Sequence, residues 1–224
     1  MKKKYIVTPE IIKLGIKSSV VAEIYNTAIE YENFQLNQIK SKTLKKVLML
    51  TESDLTGNLI LESYRNLVKS IGRSVKKFPP SAESLIKLIH RSGQFPKINT
   101  AVDAYNIVVT IKYLALGVHD FDKLGDKIVF RFSEKQEPFT PVGGDHVKFT
   151  QPGDFLYSDE NHVLAWLDSK DSELVKLTKE TKNIVIIIQG TPYTKKEYNL
   201  TAIEDACKII TKFCGGTYEI QSLF

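Results

Sequence analysis

The chain has 224 residues, 42% hydrophobic and 25% charged, with 31 Lys and Arg against 26 Asp and Glu for a formal net charge of +5. That length can bury a core without disulfides or a structural metal, and no stretch approaches the ~18 apolar residues of a membrane-spanning helix. The mild basic excess permits a polyanionic partner without requiring one, because the lysines are scattered among acids.

The first residues, MKKKYIVTPEIIKLG, carry the lysines of a signal peptide. Pro9, Glu10 and Lys13 interrupt the apolar run that should follow, so the expectation is an unprocessed, cytoplasmic chain. A strand rich in valine and isoleucine is expected over residues 15–25, then a polar, lysine-rich stretch to about residue 51. GNLILESYRNLVKSIG carries apolar residues at helical intervals and closes on Gly72. PPSAESLIKLIHRSG predicts a second helix, with Ser81 as N-cap, Glu83 in the dipole-favoured first turn and Gly93 beyond its end. PKINTAVDAYNIVVTIKYL predicts a third that begins at Ala101, because Thr100 and Asp103 have capping-box spacing. Within it, Asn99, Asp103 and Asn106 fall on a segment that otherwise reads as buried.

Beyond that helix the pattern changes to short β-prone runs, DKIVFRF, GDFLYSD, HVLAWLD and KNIVIIIQG, separated by turn residues. LTAIEDACKIITKFCGG predicts a last helix, capped by Thr201 and Glu204 and stopped by Gly215 and Gly216, and a short strand should follow over residues 217–223. Short strands without long intervening helices favour antiparallel pairing. The expected class is α+β, a mainly antiparallel sheet or barrel-like core flanked by helices. It should form one domain over residues 1–224, with a strand and helical region to about residue 97 and a core from about residue 98.

Several chemistries lack their motifs. There is no GxxxxGK[ST], no GxSxG, and VGGDH does not lead from a strand into a helix. His90, His119, His146 and His162 form no compact ligand set, and Cys207 and Cys214, about 10 Å apart along one helix, read as two buried thiols. Neither a metal nor a nucleotide cofactor is expected.

The order VDAYN, GVHDFD, PVGG, PGDFLYSD and TKETKNIVIII, with SYRNLVKSIG, KKFPPSAESL and FPKIN upstream, resembles a known family. It is similar to a freestanding form of the editing domain, the B3/4 module, of the phenylalanyl-tRNA synthetase β subunit. The likeness runs from about residue 64 to 190. It implies hydrolysis of the ester that joins a wrongly attached amino acid to tRNA, with aminoacylated tRNA as partner and no cofactor. The family's pocket asparagine and histidine fall on Asn106 and His119, which become the candidate catalytic residues. Asn106 offers both a donor and an acceptor to an amino group or carbonyl, and His119, placed in a turn after the helix, could orient water or a ribose hydroxyl. Glu83, Asp103, Tyr105 and Gln189 are the candidate substrate contacts. Asp103 reads equally as a helix cap and Glu83 as a favourable charge at a helix start. Arg65, Lys76, Lys77, Arg91 and Lys97 could meet tRNA phosphates or simply form a solvated face. Asp120 and Asp122 should fix the turn in which they lie.

Two features depart from the family. Near Ile187 the synthetase has a glutamate that reads the tyrosine hydroxyl, and the nearest polar side chain here is Gln189. Where the synthetase has a glycine-rich loop, this chain has DSKDSEL. Both alter the expected amino acid more than the ester chemistry. The expected activity is therefore a trans-acting aminoacyl-tRNA deacylase, with a non-catalytic module for tRNA or an amino acid as the rival reading.

Overall fold

The computed structural model describes residues 2–224. In chain order the elements are β1 (Lys4–Val7), α1 (Pro9–Ile12), β2 (Val20–Tyr25), α2 (Phe34–Leu48), α3 (Glu52–Thr56), α4 (Leu59–Ser70), α5 (Ser81–Ser92) and α6 (Thr100–Lys112). There follow β3 (Gly117–Asp120), β4 (Lys127–Phe132), β5 (Pro138–Phe139), β6 (Lys148–Phe149), β7 (Phe155–Ser158), β8 (Val163–Trp166), β9 (Lys170–Asp171), β10 (Ile184–Ile188), α7 (Lys196–Cys214) and β11 (Thr217–Ser222).

Two open sheets form, in the orders β1-β4-β7-β8-β9 and β11-β2-β10-β3, beside the small hairpin β5-β6. Every strand pair is antiparallel except β1 with β4. The α+β class and the antiparallel core stand, but the barrel-like element of the expectation does not. Each sheet ends in edge strands, β1 and β9 in one and β11 and β3 in the other, and the apolar faces are covered by stacking instead.

β10 explains the layering. All five residues of IVIII are buried. Ile184, Ile186 and Ile188 join the core beneath the helices, while Val185 and Ile187 join the core between the two sheets. A central strand covered on both faces needs such an unbroken apolar run. The order of layers is helices, the four-stranded sheet, then the five-stranded sheet.

α6 sits at the centre of the helical layer, against α7, α2 and α5, and is buried nearly all round. Its cap is Asn99, whose side chain accepts from the Val102 N–H at 2.9 Å, so the helix begins at Thr100 and not at Ala101. Asp103 does not complete a capping box. Its Oδ1 accepts from the Ile98 N–H at 2.9 Å and its Oδ2 pairs with the buried Lys40 of α2. Thr100 accepts instead from the Glu30 N–H at 3.0 Å.

Other boundaries move for similar local reasons. α5 has Pro80 at its N-cap with Ser81 as first residue, and ends on Gly93 at φ 67°. α7 starts at Lys196, before the expected cap; Thr201 hydrogen bonds back to the Glu197 carbonyl at 2.8 Å and Glu204 pairs with Lys208. The strand expected over 15–25 shrinks to β2 because Gly15 turns at φ 84°. The lysine-rich stretch is helical as α2, capped by Asn33. Cys207 and Cys214 are buried, free thiols on α7. Among the described residues no helix is long and apolar enough to cross a membrane.

Candidate functional site

The site is built on β3, which pairs with β10 so that Gly117 lies opposite Ile187 and His119 opposite Val185. Both residues therefore face the space between the sheets, where β7 brings Tyr157. The Tyr157 hydroxyl lies 2.8 Å from His119 Nε2, with the rings edge to face at 5.6 Å. Glycine at 117 permits this approach, because a Cβ there would stand 1.7 Å from the Tyr157 oxygen. His119 is 0% exposed, and its Nδ1 has no partner among the described residues. Burial pushes the imidazole down to about 3, so it is neutral at physiological pH. The expectation of a histidine in a turn is corrected here: His119 is on a strand and sealed, because β10 holds "GVHD" extended.

Above this pair lies a small, partly open cavity of about 40 Å³, lined by Ser81, Gly117, Tyr157, Asp168, Lys170 and Asp171 among others. Its acids come from the β8–β9 hairpin. The Ser169 N–H donates to the Trp166 carbonyl at 3.2 Å, with Leu167 and Asp168 both left-handed at φ 57° and 47°. That is a type I′ turn, which ordinarily takes Asn-Gly. A left-handed leucine costs about 1–2 kcal/mol, and here its side chain is buried. The turn is tied to the start of α5 by Ser169, whose hydroxyl donates to the Pro79 carbonyl at 2.8 Å.

The turn aims carboxyl groups inward. Asp168 Oδ2 is buried without a partner among the described residues. Burial raises the Asp168 carboxyl to about 7, with Asp171 adding to the rise, and burial likewise raises Asp171 to about 7. The Tyr157 hydroxyl is held far above its ordinary range by burial and then by these two acids. Lys170 does not pair with them. Its Nζ lies 5.2 Å from the Phe78 ring centre and 6.0 Å from that of Trp166, and burial and then nearby Lys148 lower its pKa.

The other candidate residues are distributed as follows. Tyr105 stands near the cavity acids, since burial, then Asp171 and then Asp103, raise its hydroxyl. Asn106 is 9% exposed and does not line the cavity. Glu83 is turned away into ion pairs with Arg65 at 2.8 Å and Lys87 at 2.7 Å, because the first turn of α5 faces α4. Asp103 is committed to Lys40. Gln189 is buried beyond the end of β10, both side-chain polar atoms without partners among the described residues. Lys76, Lys77 and Arg91 are exposed; Lys97 pairs with Glu32. Arg65 is used internally, donating also to the Thr56 carbonyl at 2.9 Å. Asp120 caps the turn at Asp122, and its other oxygen accepts from Thr181 at 2.7 Å. Among the described residues no group of three or more His, Cys, Asp or Glu could hold a metal ion.

Sequence reasoning passed over Tyr157, Asp168, Lys170, Asp171 and Ser81. The available signal was DSKDSEL, read only as a departure from the family. A larger groove of about 680 Å³, lined by Ile60, Tyr193, Lys195 and Tyr198 among others, opens at the start of α7. It is broad and mostly apolar, and the buried acids and imidazole lie elsewhere.

A helical layer over two stacked open sheets, with an acid-lined cavity where the start of α5 meets the outer sheet, defines an α+β protein with a small polar site. The family model of the B3/4 domain matches residues 63–215, well over half of the chain, and the chain belongs to that family. Among solved structures, it is similar to an N-terminal fragment of the phenylalanyl-tRNA synthetase β subunit from Pyrococcus horikoshii. That likeness covers 100% of this chain and 56% of the other, with a TM-score of 0.52 and 16% identity. It is a likeness of fold, and the chain spans little more than half the length of that fragment. No curated protein matches.

Proposed function

We propose that this protein acts on aminoacylated tRNA, hydrolysing the ester of mischarged molecules in trans at the cavity beside Tyr157 and His119. The observation that carries this reading is the cavity itself: the Tyr157 phenol, backed by the buried His119, on one wall and two carboxyl groups raised to about 7 on another. Carboxyls in that range suit proton transfer at neutral pH, an effect of ~10²–10⁴-fold in rate. In the reaction, water adds to the ester carbonyl carbon, the tetrahedral adduct collapses, and the ribose oxygen leaves with a proton.

His119 is too deeply buried and too weakly basic to take the proton from water, so its role is to hold the Tyr157 hydroxyl in place. Asn106 and Tyr105, on α6, and Gln189, after β10, lie outside the cavity lining, so this proposal gives them no contact with the reacting ester. Lys76 and Lys77, exposed in the loop that leads through Phe78 to the cavity, together with Arg91, are the proposed phosphate contacts.

One observation favours the rival reading of a non-catalytic module: the cavity, at about 40 Å³, holds a head group and not a whole amino acid. Incubation with a panel of charged tRNAs separates the two. Release of the amino acid supports hydrolysis, and binding without release supports the module.

A further inference from the structure

The acids of the β8–β9 hairpin lack a counter-charge. Asp168 Oδ2 is buried and unpartnered, and Lys170, between the two acids in the chain, directs its Nζ toward Phe78 and Trp166. A buried anion without a cation is costly, and the fold holds it there on a strained left-handed turn. The partly open space of about 40 Å³ exceeds the ~10–15 Å³ that one water needs and suits a small head group.

We propose, on the reading of an aminoacyl site, that Asp168 and Asp171 hold the free α-ammonium group of the guest, so that the site takes aminoacyl esters with an unblocked amine and refuses N-acylated ones. An ammonium brings a positive charge and three donors. The two carboxyl groups and the Tyr157 oxygen are the acceptors on the cavity wall. Acylating the amine removes the charge, enlarges the head beyond the cavity and leaves the carboxyl groups unpaired. Asp171 also lies near Tyr105, which places α6 beside the same group.

The test is calorimetric titration of the full chain with 3′-glycylamino-3′-deoxyadenosine and with its N-acetyl form, two stable mimics whose side chain plays no part. The free amine should bind at least about tenfold more tightly. Asp168→Asn should remove that preference, and asparagine is tolerated at a left-handed φ of 47°. Should the variant fail to fold, the comparison of the two mimics on the parent protein still decides. Equal affinity for the two mimics overturns the amine assignment and leaves the aminoacyl site standing. Binding of neither overturns both. A preference that survives in both Asp168→Asn and Asp171→Asn overturns the assignment to these acids.

Discussion

Gly117→Ala tests how the site is held together. The added Cβ would stand 1.7 Å from the Tyr157 oxygen, 3.0 Å from its Cζ and 3.2 Å from His119 Nε2. Tyr157 cannot yield cheaply, because its ring is 2% exposed and packs against Phe130 at 5.2 Å between centroids. The phenol must swing out and its 2.8 Å bond to His119 must break. His119 Nδ1 already lacks a partner, so the imidazole would then be buried with no hydrogen bond at all. Leaving a buried polar group unsatisfied costs ~1–3 kcal/mol, and overpacking adds ~1–3 kcal/mol, for a total of about 2–6 kcal/mol. Urea unfolding should show the free energy fall by that amount, read as a lower midpoint with the slope unchanged. Tyr157→Phe alone should cost ~1–2 kcal/mol. The double variant should be less destabilised than the sum, because removing the phenol oxygen removes the worst clash. A Gly117→Ala unfolding free energy within ~0.5 kcal/mol of the parent, or strict additivity in the cycle, would refute the close approach of these three residues.

Titration gives a second prediction. The folded state protonates His119 only near 3 against an ordinary value of 6.5, so His119 contributes stability above 6.5 that is lost as pH falls toward 3. Asp168 works in the opposite direction: raised from 3.8 to about 7, it costs stability progressively as pH rises between those values. Its full shift corresponds to ~4 kcal/mol and its half-open position to about ~2 kcal/mol. Asp168→Asn should therefore match the parent in melting temperature near pH ~4 and exceed it near pH ~8; a constant difference across that range would contradict the assignment. Asp103→Ala should destabilise the chain by ~3–5 kcal/mol by stranding the buried Lys40 ammonium, whereas a change below ~1 kcal/mol in urea unfolding would show the pair to be dispensable. Lys76→Ala with Lys77→Ala should weaken tRNA binding irrespective of the amino acid carried and lower the salt slope by roughly one per lost contact, and an unaltered slope would remove this loop from the interface.

The parts of the fold with an unbroken or strictly periodic apolar signal were legible. IVIII read as a strand, its β-branched run bounded by turn residues, and α4 and α5 announce themselves by helical spacing and a left-handed glycine beyond the end. α2 was not, because its buried face includes Lys40 and Thr43, so a helix reads as a polar stretch. Its meaning lies in a partner more than sixty residues away, Asp103. The site was legible in half. The resemblance singled out His119 but put it in a turn, whereas it lies on β3, and the residue against which it rests, Tyr157, comes from the other sheet. Local spacing has no access to a contact 38 residues apart. Asp168 was hidden for another reason: Leu-Asp is a poor sequence for a type I′ turn, and only tertiary burial of Leu167 forces it.

The most direct test of the account is release of the amino acid from a panel of correctly and wrongly charged tRNAs, measured with the protein in excess over each tRNA. The account predicts faster release from at least one mischarged tRNA, with Tyr157→Phe and Asp171→Asn each slowing that release by ~10-fold or more while tRNA affinity is kept. Bound tRNAs that all keep their amino acids at the uncatalysed rate would contradict it.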